Sequence, residues 1–297
     1  MLEHPVQSLT AGWSGLRVPK ACIFGLGLIG GSWAGALHHL GWEVTAIDPD
    51  EASLREGIRR GWIQEGRPDV PDSLDVDLVI LASPLHELIK GFAPWLKRLP
   101  PGAIITDVGS IKAEVCRQWQ ENCLTSDVYF VGGHPMSGSE QSGFLAADQN
   151  LFRGYPYVLT PAADCPELVI QKLVELLQSL GAIVEFREPL VHDREVALVS
   201  HIPHILAVTL SLAAQDASQN GESVLSLAGR SFRDLTRIAD SSPEMWKEIM
   251  VRNSAAILEG LTMWEKRIQE FREYLEIGEG EKIAEGFRIA HSIRDGL

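Results

Sequence analysis

The sequence predicts an α/β doubly wound sheet over residues 1–188 and an all-α domain over residues 189–297. Three observations carry this. Short apolar strands alternate with helical stretches from Ala21 to Phe186, the pattern of a parallel sheet covered on both faces. Gly25-Leu26-Gly27-Leu28-Ile29-Gly30 lies between the first strand and the first helix. After Pro189 no strand-like run recurs.

The elements follow in order. Ala21 to Phe24 reads as a buried strand, residues 33–40 as a helix and Val44 to Ile47 as the next strand. Gly25 permits a tight turn, Gly27 lets backbone approach a pyrophosphate, and Gly30 lets helix pack on strand. Leu28 and Ile29 open the helix whose N-terminal N–H groups face an anion. Asp48, eighteen residues after Gly30, stands where a carboxylate accepts from ribose hydroxyls. This is a Rossmann-type dinucleotide site by spacing and context.

Asp50 to Gly61 predicts a short helix with Leu54, Ile58 and Trp62 on its apolar side. Asp75 to Ala82 is a strand that ends in Ser83-Pro84, at the cofactor edge of the sheet. Leu85 to Leu99 reads as one helix, broken by Pro100-Pro101-Gly102. Ala103 to Val108 is a strand, and the chain then turns through Gly109-Ser110-Ile111-Lys112 into a helix. Asp127 to Val131 is a strand followed by a loop, Gly132-Gly133-His134-Pro135-Met136-Ser137-Gly138-Ser139-Glu140. Tyr157 to Thr160 and Ile183 to Phe186 are strands around the helix Glu167–Leu180. In the second half, His192 to Ala217 is a long apolar helix with a kink expected at Pro203. Pro243 to Leu275 reads as a second long helix, striped by Trp246, Ile249, Met250, Ile257, Leu261 and Trp264. That stripe is wider than one small helical layer needs and points to a homodimer. Residues 281–293 form a last helix after the break at Gly278–Gly280.

Bulk properties narrow the class. An apolar fraction of 45% and a charged fraction of 22% are those of an ordinary globular protein. A net charge of −14 argues against nucleic acid or an anionic membrane as partner. No window reads as a membrane span, and residues 1–16 carry no secretory pattern, so a cytoplasmic location is expected. Cys22, Cys116, Cys123 and Cys165 show no metal spacing, and no metal is expected.

His134 stands out among the residues at the cofactor edge. A neutral imidazole there can take a proton from a substrate hydroxyl, help worth about 10²–10⁴-fold. A loop histidine bonded to backbone is the alternative. His201 and His204 share a helix face beside Pro203. They line a cleft together, or one lines it and the other lies in the core. Arg230, Arg233 and Arg237 concentrate positive charge in an acidic chain and suit a carboxylate clamp, with Asp234 holding Arg233 or Arg237. Asp48 and Asp50 disfavour a 2′-phosphate, and Arg55 is the first arginine near them, so NAD is expected over NADP.

These motifs resemble the prephenate/arogenate dehydrogenases of tyrosine biosynthesis. The carrying blocks are residues 25–32, 106–112, 132–140, 200–204 and 232–239, in the family's order. The resemblance implies a Rossmann domain followed by a helical dimerisation domain. It implies oxidative decarboxylation of prephenate or arogenate with hydride transfer to NAD(P)+. It makes His134 the base at the ring hydroxyl, with Ser110 bonding the same hydroxyl, and Arg237 the holder of the ring carboxylate. His204 and Trp246 would border the side-chain end, Trp246 from either subunit, with Ser137 nearby and Asp234 supporting. An acidic pocket residue would favour arogenate, and Glu140 and Asp148 are the nearest in sequence. L-tyrosine would inhibit competitively, because no regulatory domain is seen. Two rivals remain at this point. A hydroxy-acid dehydrogenase would want a lysine base, and no lysine occurs between Lys172 and Lys247. A non-catalytic NAD-binding sensor would need no His134 with Arg237.

Overall fold

The computed structural model describes residues 13, 17–90, 93–122, 127–138, 141–219 and 223–296. Residues 1–16 other than Trp13, and Cys123, Ser139 and Glu140, lie outside the described residues. The first half runs β1 (Lys20–Phe24), α1 (Leu28–His39), β2 (Glu43–Ile47), α2 (Glu51–Arg59) and β3 (Glu65–Arg67). It continues through β4 (Leu78–Leu81), α3 (Leu85–Ile89), α4 (Ala93–Leu96), β5 (Ile104–Asp107) and α5 (Ala113–Asn122). It closes with β6 (Tyr129–Pro135), β7 (Pro156–Pro161), α6 (Glu167–Ser179) and β8 (Ile183–Phe186). One eight-stranded sheet results, in the order β3-β2-β1-β4-β5-β6-β7-β8.

The central strands β1, β4 and β5 are buried on both faces because apolar residues occupy both alternations. Ala21, Ile23, Leu78 and Ile80 face Trp33 and Leu37 of α1, with Leu173 and Leu177 of α6. Cys22, Val79, Leu81 and Ile105 face Leu85, Trp95, Val115 and Trp119 on the opposite side. Each fully buried Leu or Ile contributes about 1.5–3 kcal/mol.

The sheet departs from the all-parallel expectation at one place: β7 runs antiparallel to β6, with His134 opposite Val158 and Gly132 opposite Thr160. Among the described residues of 136–155 there is a 3-10 turn, Phe144–Ala146, and no crossover helix to carry the chain to the far end of the sheet. β6 itself runs through Gly132, Gly133 and His134, where a loop was expected. The glycines serve close packing there. A Cβ on Gly132 would lie 2.2 Å from Thr160 Oγ1, and one on Gly133 would lie 2.6 Å from the Asp107 carbonyl oxygen. Strand β3 was not foreseen. The expected helix Leu85–Leu99 divides into α3 and α4, since Pro94 has no N–H with which to continue α3. Ile58 is 49% exposed, and Gly57 takes its place against Ile63.

The second half is helical: α7 (Pro189–Val196), α8 (Ile202–Gln219), α9 (Arg230–Thr236), α10 (Pro243–Arg252), α11 (Ser254–Ile277) and α12 (Gly280–Asp295). Pro203 produces a π-turn over Ala197–His201, immediately before it. A widened turn accommodates the missing N–H and the ring without ending the helix. The expected helix Pro243–Leu275 breaks at Asn253, whose side chain is used in bonding across to α7. The run Pro189–Ser218 is long and apolar enough by composition to cross a membrane, contrary to the sequence reading. It also carries buried His192, Asp193 and His201, which bond to other elements.

Candidate active site

The site forms where the chain order reverses, at the carboxyl ends of β1 and β4. Gly25 has φ +93°, and a Cβ on it would lie 2.6 Å from the Ala82 carbonyl oxygen. A Cβ on Gly30 would lie 1.9 Å from the Gly25 carbonyl oxygen. Gly27 differs, since a Cβ there meets open space. Gly27 is the N-cap of α1 and offers no side chain to it, which leaves the first-turn amides of Leu28, Ile29 and Gly30 for an anion. Asp48 Oδ2 accepts from Leu26 N at 2.6 Å, and Oδ1 accepts from Asp50 N at 2.7 Å. The carboxylate thereby fixes the glycine turn and keeps lone pairs for a ribose. Arg67 of β3 adjoins Asp48, whose N–H donates to the Arg67 carbonyl at 3.0 Å. The sequence pointed instead to Arg55, which pairs with Glu51 on α2. The guanidinium of Arg67 pairs with Glu65 at 2.5 Å.

Among the described residues, five buried polar side-chain atoms lack a hydrogen-bond partner. Two, on Trp33 and Tyr157, belong to the aromatic cluster of the core. The others are Ser83 Oγ, Ser137 Oγ and Trp246 Nε1, on segments that follow β4 and β6 and on α10. An unmet buried group costs about 1–3 kcal/mol, which a bound ligand recovers. The open glycine turn and the unpartnered Ser83 fit a dinucleotide.

His134 lies at the end of β6 and is 8% exposed. Its Nδ1 bonds His192 Nε2 at 2.9 Å, and His192 Nδ1 bonds Asp193 Oδ1 at 2.8 Å. Asp193 also accepts from Lys112 N at 2.7 Å and from Ala113 N at 3.0 Å, which caps α5. A carboxylate only accepts, so His192 Nδ1 carries a proton. The tautomer that leaves a base at the cleft has His134 Nδ1–H donating to His192 Nε2, so that His134 Nε2 keeps its lone pair. Burial first, then the neighbouring His192, Lys112 and His201, hold His134 well below the ordinary histidine pKa. Its ring is therefore a neutral acceptor. Sequence reading missed His192 and Asp193. Their signal was a His-Asp pair at the head of an apolar helix, which has no meaning until α7 packs beside β6.

α10 completes the cleft. Trp246 stacks on His204 of the same chain at 3.7 Å between centroids. His204 Nδ1 donates to the Ser200 carbonyl at 2.9 Å, so its Nε2 is the available nitrogen. His201 is the core member of the pair. It is 1% exposed, accepts from Asn253 Nδ2 at 3.1 Å, and burial lowers it to about 4. α10 is pinned to the first half by His86 Nδ1–Glu248 Oε1 at 2.6 Å and by Arg252 Nη1 on both Glu114 oxygens at 3.0 Å. Arg237, exposed, lies on a 3-10 turn that packs against α8. Asp234 pairs with Arg230 at 3.3 Å, and Arg233 donates to the Ala228 carbonyl rather than to Asp234. The i,i+4 spacing on α9 brings Arg230 to Asp234. Ser110 is half-buried in the loop between β5 and α5. Asp148 lies beside α1, where its N–H meets Ser32 Oγ and its carboxylate accepts from Asn150 N.

Residues 33–186 match the family model "Prephenate dehydrogenase, nucleotide-binding domain", and residues 188–289 match "Prephenate dehydrogenase, dimerization domain". The chain is 35% identical to prephenate dehydrogenase of Bacillus subtilis, over 93% of this chain and 75% of that one. It is 30% identical to cyclohexadienyl dehydrogenase of Zymomonas mobilis, over 93% and 94% of the two chains. The fold matches a crystal structure of prephenate dehydrogenase from A. aeolicus in complex with hydroxyphenyl propionate and NAD+. That match has a TM-score of 0.87 and 27% identity, and covers 95% of this chain and 99% of that one.

Proposed function

We propose a residue-level reaction for this chain, which belongs to the prephenate dehydrogenase family. The chain is a dehydrogenase that performs NAD-linked oxidative decarboxylation in tyrosine biosynthesis. Family membership removes the hydroxy-acid and sensor readings. The observation that carries the residue roles is His134 at the head of the His192–Asp193 chain, with its Nε2 left to accept.

NAD+ supplies the hydride acceptor when bound. Gly25, Gly27, Leu28, Ile29 and Gly30 hold its pyrophosphate, Asp48 its ribose, and Ser83-Pro84 border it. His134 Nε2 takes the ring-hydroxyl proton as the C–H electron pair departs, and Ser110 bonds the same oxygen. The C–CO₂ bond electrons then enter the ring, CO₂ leaves, and the new phenolic oxygen recovers the proton. Arg237 binds the ring carboxylate, while His204, Trp246 and Ser137 border the side-chain end.

Prephenate is favoured over arogenate. The unmet Trp246 Nε1–H suits a keto oxygen, and Asp148 is engaged beside α1 rather than offered to an ammonium group. NAD is favoured over NADP by the Asp48 carboxylate at the ribose position. L-tyrosine would compete at the same site. Exposed Ile268, Phe271 and Leu275 of α11 and Phe287 of α12 suit a homodimer, and the cytoplasm suits its substrates. The test is NADH formation with prephenate and arogenate, each with NAD+ and NADP+. Prephenate with NAD+ should turn over fastest. No turnover of either substrate by protein that binds NAD+ would overturn the reading.

A further inference from the structure

The Asp107–Lys112 ion pair lies at the centre of the site, and both side chains are 0% exposed. Burying two charges costs several kcal/mol per ion, and apolar replacements are often as stable, so a buried pair needs a reason beyond stability. The geometry of the carboxylate supplies one. Asp107 Oδ2 meets Lys112 Nζ and also accepts from Gly109 N at 2.8 Å. Asp107 Oδ1 accepts from Gly133 N at 3.1 Å. These amides belong to the residues immediately before Ser110 and His134.

The backbone does not make this connection. The β5–β6 ladder ends at Thr106 opposite Val131, two residues short of Gly133. Beyond that point the Asp107 side chain joins the two strands. Lys112 extends the tie, because its own N–H is held by Asp193, the anchor of the histidine chain. One ion pair thus references the Ser110 loop, the His134 strand and Asp193 to each other.

We propose that Asp107 and Lys112 are positioning residues for the dehydrogenation: the carboxylate sets the separation of Ser110 from His134, and Lys112 holds the carboxylate in place. This rests on the roles given above to Ser110 and His134. A displacement of about 1 Å in such a constellation can cost about 10²-fold in rate.

Two full-length variants test it, with prephenate and NAD+. Asp107→Asn with Lys112→Met removes both charges together, so neither is left buried alone. Asp107→Glu keeps the ion pair and lengthens its arm by one methylene. A purely structural need for charge is met by Asp107→Glu, whereas a positional need is not. Both variants should lose kcat by at least about tenfold, with KM for substrate and NAD+ within about threefold. On a His134→Ala background each should cost less than about threefold, because the partner it positions is gone. The proposal is overturned if either folded variant retains kcat within threefold. It is also overturned if the loss is equal on both backgrounds, or if neither variant folds, since the pair is then structural. Failure of the underlying reading is separate: it shows as undiminished turnover in His134→Ala alone.

Discussion

His134 and His192 share one hydrogen bond, Nδ1 to Nε2 at 2.9 Å, and Asp193 stands behind His192 at 2.8 Å. In the tautomer that leaves a base at the cleft, the proton on that bond belongs to His134. The histidine at the cleft is thereby held in one tautomer, with its acceptor nitrogen turned away from its neighbour.

Replacing His192 with phenylalanine keeps a ring of similar size and removes the acceptor. The His134 tautomer is then no longer assigned. We expect kcat to fall about 10–100-fold with KM nearly unchanged, since orientation acts on the transition state. Steady-state kinetics with NADH readout measures this. A kcat within twofold of the parent would remove His192 from the mechanism.

Burial holds the His134 pKa well below 6.5, so its imidazole is neutral through the physiological range. The acid limb of kcat/KM should therefore lie below pH 6.5, with a flat profile above it. Stability follows the same sign. His134 and His201 have folded pKa values below their unfolded values, so the unfolded chain binds more protons between the two. Stability is complete above pH 6.5 and declines as pH falls toward about 4, where His201 titrates in the folded state. The slope is about 1.4 kcal/mol per pH unit for each such group. Denaturant unfolding at a series of pH values reads it, and stability that rises on acidification from pH 6.5 to 5 would contradict the assignment.

Gly27 and Gly30 should separate binding from folding. A Cβ on Gly27 meets open space, so Gly27→Ala should leave Tm nearly unchanged and raise KM for NAD+ about tenfold or more. A Cβ on Gly30 would lie 1.9 Å from the Gly25 carbonyl, so Gly30→Ala should lower Tm as well. Thermal melts beside NAD+ titrations distinguish the two. Equal melting losses would refute the division.

Arg237→Ala tests the carboxylate role. A hydrogen bond to a charged group contributes about 1.5–3 kcal/mol, so kcat/KM should drop at least about tenfold. The residue is exposed, and the fold should tolerate the change. Unaltered kcat/KM in folded protein would assign the carboxylate to another group.

What the sequence determined by itself is local. The glycine turn, the apolar strands and Asp48 at a strand end are read from neighbours in the chain, because turns and strands obey short-range sterics. The family, and with it Ser110, His134 and Arg237 as candidates, was legible in short motifs for the same reason. Tertiary structure decided what depends on distant segments meeting. His192 and Asp193 meet His134 only when α7 lies beside β6. Asn253 breaks a helix that its apolar spacing would continue, because its amide finds Asp193 and His201 across the core. Arg67 reaches Asp48 through β3, three residues long and too polar to announce itself as a strand. The direction of β7 follows from what the chain does after His134. Hydrogen bonds between residues tens of positions apart leave no periodicity in the chain, so only the folded protein displays them.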